Sequence, residues 1–142
     1  IGSGAAMLAA MALGADAVQV GSRFVATPEA SSHEYFKQEV LKAEQGSTVL
    51  TLKEVTPVRM LKNPFYEKIQ TLYEKGADAE ALRKALGRGR AKKGMFEGDL
   101  VEGELEIGQV AAQIETITPA ADIVREFIQT YNHTLERLKK IN

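Results

Sequence analysis

Apolar side chains recur along this chain in more than one rhythm. Over residues 5–13 they are continuous: Ala5, Ala6, Met7, Leu8, Ala9, Ala10, Met11, Ala12 and Leu13, with Ser3 before the run and Gly14 after it. Alanine, leucine and methionine favour helix, a serine caps a helix start and a glycine ends one, so a helix apolar on nearly every side is predicted. Such a helix needs a sheet or another helix to cover it. Ala17, Val18, Gln19 and Val20 then read as a short buried strand that ends at Gly21, Ser22, Arg23 and Phe24.

Helical spacing returns further on. A helix is expected to start at Thr27 and Pro28, with Tyr35, Phe36, Val40 and Leu41 at helical intervals up to Gly46. Val49, Leu50, Thr51 and Leu52 favour an extended backbone, and Pro57 and Asn63-Pro64 break helix on either side of 58–62, so a loop with a strand-like stretch is expected. Residues 65–75 and 78–86 read as two helices, and Val110, Ala111 and Ile114 as part of another. Thr118 and Pro119 suit the N-cap and first position of a long final helix. Its Ile123, Val124, Phe127, Ile128, Tyr131, Leu135 and Leu138 predict one buried face, with Arg125, Glu126, Glu136, Arg137 and Lys139 outside.

Composition narrows this picture. With 142 residues, 18 Lys+Arg against 19 Asp+Glu and 44% hydrophobic residues, the chain has the profile of an ordinary globular domain. A complete (β/α)₈ barrel needs roughly 250 residues, so a barrel reading is a fragment reading. The chain opens on Ile1 within a Gly-Ser-Gly turn, which suggests the C-terminal piece of a longer protein. Balanced charge gives no reason to expect nucleic acid or a membrane surface as partner. The apolar run at 5–13 falls short of the roughly 20 residues that span a bilayer and has no basic segment before it, so the expected location is cytoplasmic. Without cysteine there is no disulfide and no thiolate chemistry, and neither histidine has a partner at metal-ligand spacing, so no metal site is expected.

Two glycine turns carry the first candidate chemistry. Gly2-Ser3-Gly4 precedes a helix and Gly21-Ser22 follows a strand. Glycine lets backbone N–H groups approach an anion, so the two could cradle a phosphate or could simply be tight turns. The residues around them resemble a family. Ile1-Gly2-Ser3-Gly4, followed by the run from Ala12 to Phe24 (ALGADAVQVGSRF), is similar to the end of an FMN-dependent barrel of the nitronate monooxygenase and type II enoyl-acyl carrier protein reductase group. Val58-Arg59-Met60-Leu61-Lys62-Asn63, Glu97-Gly98-Asp99 and Gly108-Gln109-Val110-Ala111 resemble the helical subdomain appended to that barrel.

The resemblance implies an α/β fold: the last β/α unit of an FMN-binding TIM barrel at 1–30, a mostly helical subdomain at 31–117, and a C-terminal helix at 118–142 packing on the barrel. It implies that a complete parent protein passes hydride from NAD(P)H through FMN to an enoyl-acyl carrier protein, or alternatively oxidises a nitronate, and that the fragment alone is inactive. A non-catalytic helical binding or assembly module is the reading from another class. The cofactor residues it implies are Gln19, Val20, Gly21 and Ser22, with a hydroxyl at Ser22 where the family commonly has Thr. No catalytic residue is assigned, because the group's catalytic histidine belongs to an earlier strand.

Arg59 and Lys62 could hold a phosphate of the nicotinamide or of the carrier's prosthetic arm, and Gln109 could face a substrate pocket. His33 reads as a helix-capping or packing residue, and His133 is given no role. Arg88, Arg90, Lys92 and Lys93 are either a solvated loop or a rim that steers an acidic carrier protein. Glu102, Glu104 and Glu106 alternate on what is expected to be an exposed segment serving solubility. Acyl carrier protein or a small-molecule substrate is the expected partner. Strand 17–20 and the helix at 5–13 lack neighbours within the chain, so either domain-swapped association, with a homodimer as the expected assembly, or mobility near the N-terminus is expected.

Overall fold

The computed structural model describes residues 1–141. In chain order they form helices α1 (Gly4–Ala12), α2 (Ser22–Val25) and α3 (Glu34–Leu41), strands β1 (Thr48–Thr51) and β2 (Val58–Leu61), and helices α4 (Pro64–Glu74) and α5 (Ala79–Leu86). A π-helical turn at Lys92–Phe96, a 3₁₀ turn at Gln109–Gln113 and helix α6 (Ala120–Lys139) complete the chain. They divide into two compact units, one of Ile1–Ala30 with Thr116–Asn142 and one of Ser31–Glu115.

The first unit rests on α1 against α6. Ser3 caps α1 by accepting from the Ala6 N–H at 3.2 Å, as its position before the apolar run predicts. Gly4 is buried, its N–H donating to Thr130 Oγ1 at 3.1 Å, and a Cβ there would run into the Phe127 carbonyl and the Tyr131 amide of α6. Only glycine allows this approach. Helix α6 starts at Ala120, one residue beyond the expected first position, and its cap is the distant Glu29, whose two oxygens each lie 3.2 Å from the Ala120 N–H. Ile123 and Phe127 are buried, whereas Val124, Ile128 and Leu138 of the expected buried face are about half exposed.

The expected strand at 17–20 does not form. The segment has no regular structure and no ladder partner among the described residues, and Ala17 and Gln19 are exposed. Strand propensity without a neighbouring strand leaves the backbone unpaired, so local sequence alone cannot make the element. Ser22–Val25 curls into one helical turn where the strand's end was expected.

The second unit is organised by an antiparallel hairpin in which Thr48, Val49, Leu50 and Thr51 pair with Leu61, Met60, Arg59 and Val58. The loop expected around 58–62 is therefore a strand, and the subdomain is helical with a small sheet at its centre. A bridge between Met60 and Glu106, with the Leu61 N–H donating to Leu105 O at 2.9 Å and the Ile107 N–H to Arg59 O at 3.0 Å, lays residues 105–107 along the other side of β2. On one face Leu52, Met60, Phe65, Ile69 and Leu82 form a fully buried cluster. Leu52 closes β1 at φ 53°, a left-handed conformation rare for leucine, and its carbonyl accepts from the Val55 and Thr56 amides. Burial in the cluster holds it there.

Helix α3 starts at Glu34, not at Thr27, because Thr27 closes a local turn by accepting from the Ala30 N–H at 3.1 Å. The two helices at 65–75 and 78–86 stand within a residue of expectation, with Asn63 and Asp78 as N-caps. The segment around Val110 to Ile114 is a 3₁₀ turn rather than an α-helix. Gly4→Ala is expected to cost about 1–3 kcal/mol, the range of overpacking a tight contact, because the obstacle on α6 is backbone that cannot rotate away. Urea unfolding of the variant beside Ala5→Gly, a change on the same helix away from that contact, would check it.

Candidate functional site

The residues singled out by sequence fall in both units. Gln19, Val20, Gly21 and Ser22 lie in the first, on the irregular segment before α2 and the turn into it. Gly21 is exposed, and a Cβ built on it meets no atom within 4 Å, so its backbone is open to an approaching group. Its carbonyl accepts from the Phe24 N–H at 2.9 Å, which fixes the turn. Arg23, next along, is held in an ion pair with Glu126 of α6. The Ser3 hydroxyl in the other glycine turn is engaged as the α1 cap.

Arg59, Lys62 and Gln109 lie in the second unit. Arg59 sits on β2 with Nη1 donating to Thr48 O at 3.3 Å and Thr48 Oγ1 at 3.2 Å, so it braces the hairpin. Lys62 is exposed and lines a cavity of about 360 Å³ with Glu39, Lys42 and Ser47. Gln109 is exposed at the start of the 3₁₀ turn. Arg59 accepts the Ile107 N–H on its carbonyl, two residues before Gln109, while its side chain is turned to β1.

The motif residues between these are structural. Asn63 caps α4 through Oδ1 and donates from Nδ2 to Leu100 O at 2.8 Å and Gly103 O at 2.9 Å. Asp99 Oδ1 accepts from the Val101 and Glu102 amides and its other oxygen pairs with Lys93, which together hold its carboxyl below the usual range. His33 accepts the Tyr35 N–H on Nδ1, the capping role expected of it, and its ring lies against Gly98, where φ is 79° and a side chain would collide.

Two expectations are corrected here. The run from Arg88 to Lys93 is not uniformly solvated. Arg90 packs over the Phe65 ring at 4.7 Å and donates to Ala85 O, Leu86 O, Glu102 O and the Glu102 carboxylate. Nor is the 102–106 segment a solvent-exposed acidic strip. Glu104 is 6% exposed, and burial, with repulsion from Glu106, raises its carboxyl to about 7 against the opposing pull of Arg90. Burial also raises Glu106. The signal was present: Glu104, Leu105, Glu106 and Ile107 alternate with the period of a strand, and β2 supplies the partner.

Comparison with known proteins places this arrangement. The sequence profile described as nitronate monooxygenase matches residues 1–130. The chain belongs to the nitronate monooxygenase family. A nitronate monooxygenase of Neurospora crassa is 27% identical over 155 aligned positions, which take in 99% of this chain and 38% of that protein. Among solved structures, FabK from Thermotoga maritima is 36% identical with a TM-score of 0.89, covering 98% of this chain and 44% of FabK. A nitroalkane oxidase from Streptomyces ansochromogenes is 29% identical with a TM-score of 0.69, covering 97% of this chain and 39% of that one. This member of the nitronate monooxygenase family therefore spans about two fifths of the length of these relatives.

Two outcomes are expected from the second unit. A carboxyl raised from 4.5 to about 7 on folding destabilises the fold as pH climbs through that window, because the unfolded chain has already lost a proton that the folded chain keeps. Glu104→Gln should leave stability near pH 4 unchanged and add on the order of 3 kcal/mol at pH 8, measured by urea unfolding at both pH values. Equal offsets at the two would refute it. Arg90→Lys should lower stability by about 1–3 kcal/mol, since an ammonium cannot reproduce the planar set of donors, read as a fall in melting temperature.

Proposed function

We propose that this chain is the phosphate-holding end and the appended subdomain of an FMN-dependent oxidoreductase. The observation that carries the reading is the turn at Gly21, whose exposed backbone has no neighbour where a Cβ would stand. That opening fits a phosphate approaching main-chain amides more closely than a side chain would permit. Gly21 and Ser22 would hold the phosphate by their amides, with the Ser22 hydroxyl as a further donor. Gln19 and Val20 would lie along the cofactor, the exposed Gln19 side chain serving as its polar contact. Bound flavin supplies the electron-transfer chemistry, and the protein contributes position and polarity.

In this reading the segment at 17–20 takes its place as a strand of a parallel barrel sheet formed with the rest of a longer protein. The chain alone is inactive and completes its sheet by association, as a homodimer or with the remaining strands. We read the substrate as the enoyl thioester of an acyl carrier protein, reduced at the expense of NAD(P)H in the cytoplasm. The likeness to FabK supports this reading. The family profile and the Neurospora relative favour a second, oxidation of a nitronate. Lys62 and Gln109, both exposed, would meet an anionic substrate or co-substrate from solvent, while Arg59 would first have to leave Thr48.

The parent protein should bind FMN with quenching of the flavin fluorescence, and Gly21→Val, which fills the opening without disturbing a packed neighbour, should weaken that binding at least about tenfold, the effect of losing roughly 1.4 kcal/mol. Unchanged affinity would remove Gly21 from the cradle. Reduction of crotonyl thioester by NAD(P)H under argon, set against oxygen uptake with a nitronate, decides between the two activities.

A further inference from the structure

Helices α4 and α5, joined by the short connection at 75–78, flank a groove of about 500 Å³. Its floor is Thr71 and Leu72 from one side and Ala81 and Ala85 from the other. Its rim is three lysines, Lys68, Lys75 and Lys84, with no carboxylate among the lining residues. The helical intervals explain this: 68, 71, 72 and 75 form one stripe, and 81, 84 and 85 form the facing one. Small alanines on α5 leave the space, while Leu82 points the other way into the buried cluster. Main-chain groups in the two helices bond within the helices, so the floor asks for no hydrogen bonds. Lys68 lies 3.7 Å from a Glu102 oxygen, and Lys75 and Lys84 make no ion pair among the described residues.

We propose that this groove binds a single-chain anionic amphiphile, in its simplest form a fatty carboxylate. The aliphatic tail lies on Leu72, Ala81 and Ala85, and the head is met by the lysine ammonium groups, whose methylene stems extend the apolar wall. The volume falls within the range of small-molecule sites. The seven lining residues are too few for a stable protein interface, which takes about 20–30 residues a side. Charge complementarity selects the anion, and the uncharged floor selects the tail. The proposal is independent of the flavin reading, because no cofactor residue lines the groove.

The test uses the full chain and sodium dodecanoate below its micellar concentration, followed by calorimetry and backbone amide shifts. Saturable one-to-one binding is expected, with shifts centred on α4 and α5. The Lys75→Glu/Lys84→Glu pair should weaken it roughly tenfold or more, a loss of about 1.4 kcal/mol over two charges. Ala81→Phe, at an exposed position, should block the tail site without unfolding the chain, as verified by circular dichroism. Dodecyltrimethylammonium should not bind there. The proposal is overturned by absence of saturable binding, by equal binding of the cationic amphiphile, or by dodecanoate affinity that ignores both variants. It is equally overturned if shifts centre elsewhere, or if an acidic helical peptide occupies the groove and dodecanoate does not.

Discussion

One guanidinium joins most of the parts of the larger unit. Arg90 reaches the carbonyls that end α5, at Ala85 and Leu86, the carbonyl and carboxylate of Glu102, and the face of Phe65 at the start of α4. Those groups come from three separate stretches of chain, and a planar cation with five donors is the side chain that can satisfy them together. With Arg90 in place the backbone of 102–104 is held beside the π-helical turn, the Glu104 N–H donating to Arg90 O at 3.0 Å. Gly94 and Gly103 then cross with no room for a Cβ on either. Asn63 secures the same loop from the other side through Leu100 and Gly103.

This tie has an electrostatic consequence. Holding residues 105–107 against β2 buries Leu105 and Ile107, and it also takes Glu104 out of solvent and sets Glu106 opposite the fully buried Met60. Burial raises both carboxyls, and at Glu104 the attraction of Arg90, already committed to Glu102, offsets only part of it. The arrangement keeps the proton on Glu104 to a higher pH than an exposed carboxyl would hold it.

In the smaller unit the corresponding constraint is the contact of Gly4 with α6, which positions an otherwise featureless apolar helix. Neither α1 nor the segment at 17–20 is covered as its composition calls for: Met11 and Leu13 are exposed and the segment has no ladder partner among the described residues. A chain that spans about two fifths of its relatives leaves those demands to be met by other chain segments in the reading proposed above.

How much was legible beforehand follows from the range of each interaction. The cap at Ser3 and the lengths of α4 and α5 rest on contacts within a few residues and could be read directly. The capping role of His33 is equally local, and the glycine turn at Gly21 was legible because it needs no partner. The β1–β2 pairing, the Glu29 cap on α6 and the burial of Glu104 depend on groups far apart in sequence, which local propensity does not weigh. The sequence by itself determined the family, the cap at Ser3 and the two helices at 65–75 and 78–86. Tertiary structure alone decided that Arg90 ties rather than steers and that Arg59 braces a hairpin, because a charged side chain's role is set by which distant carbonyls and carboxylates lie within about 3 Å of it.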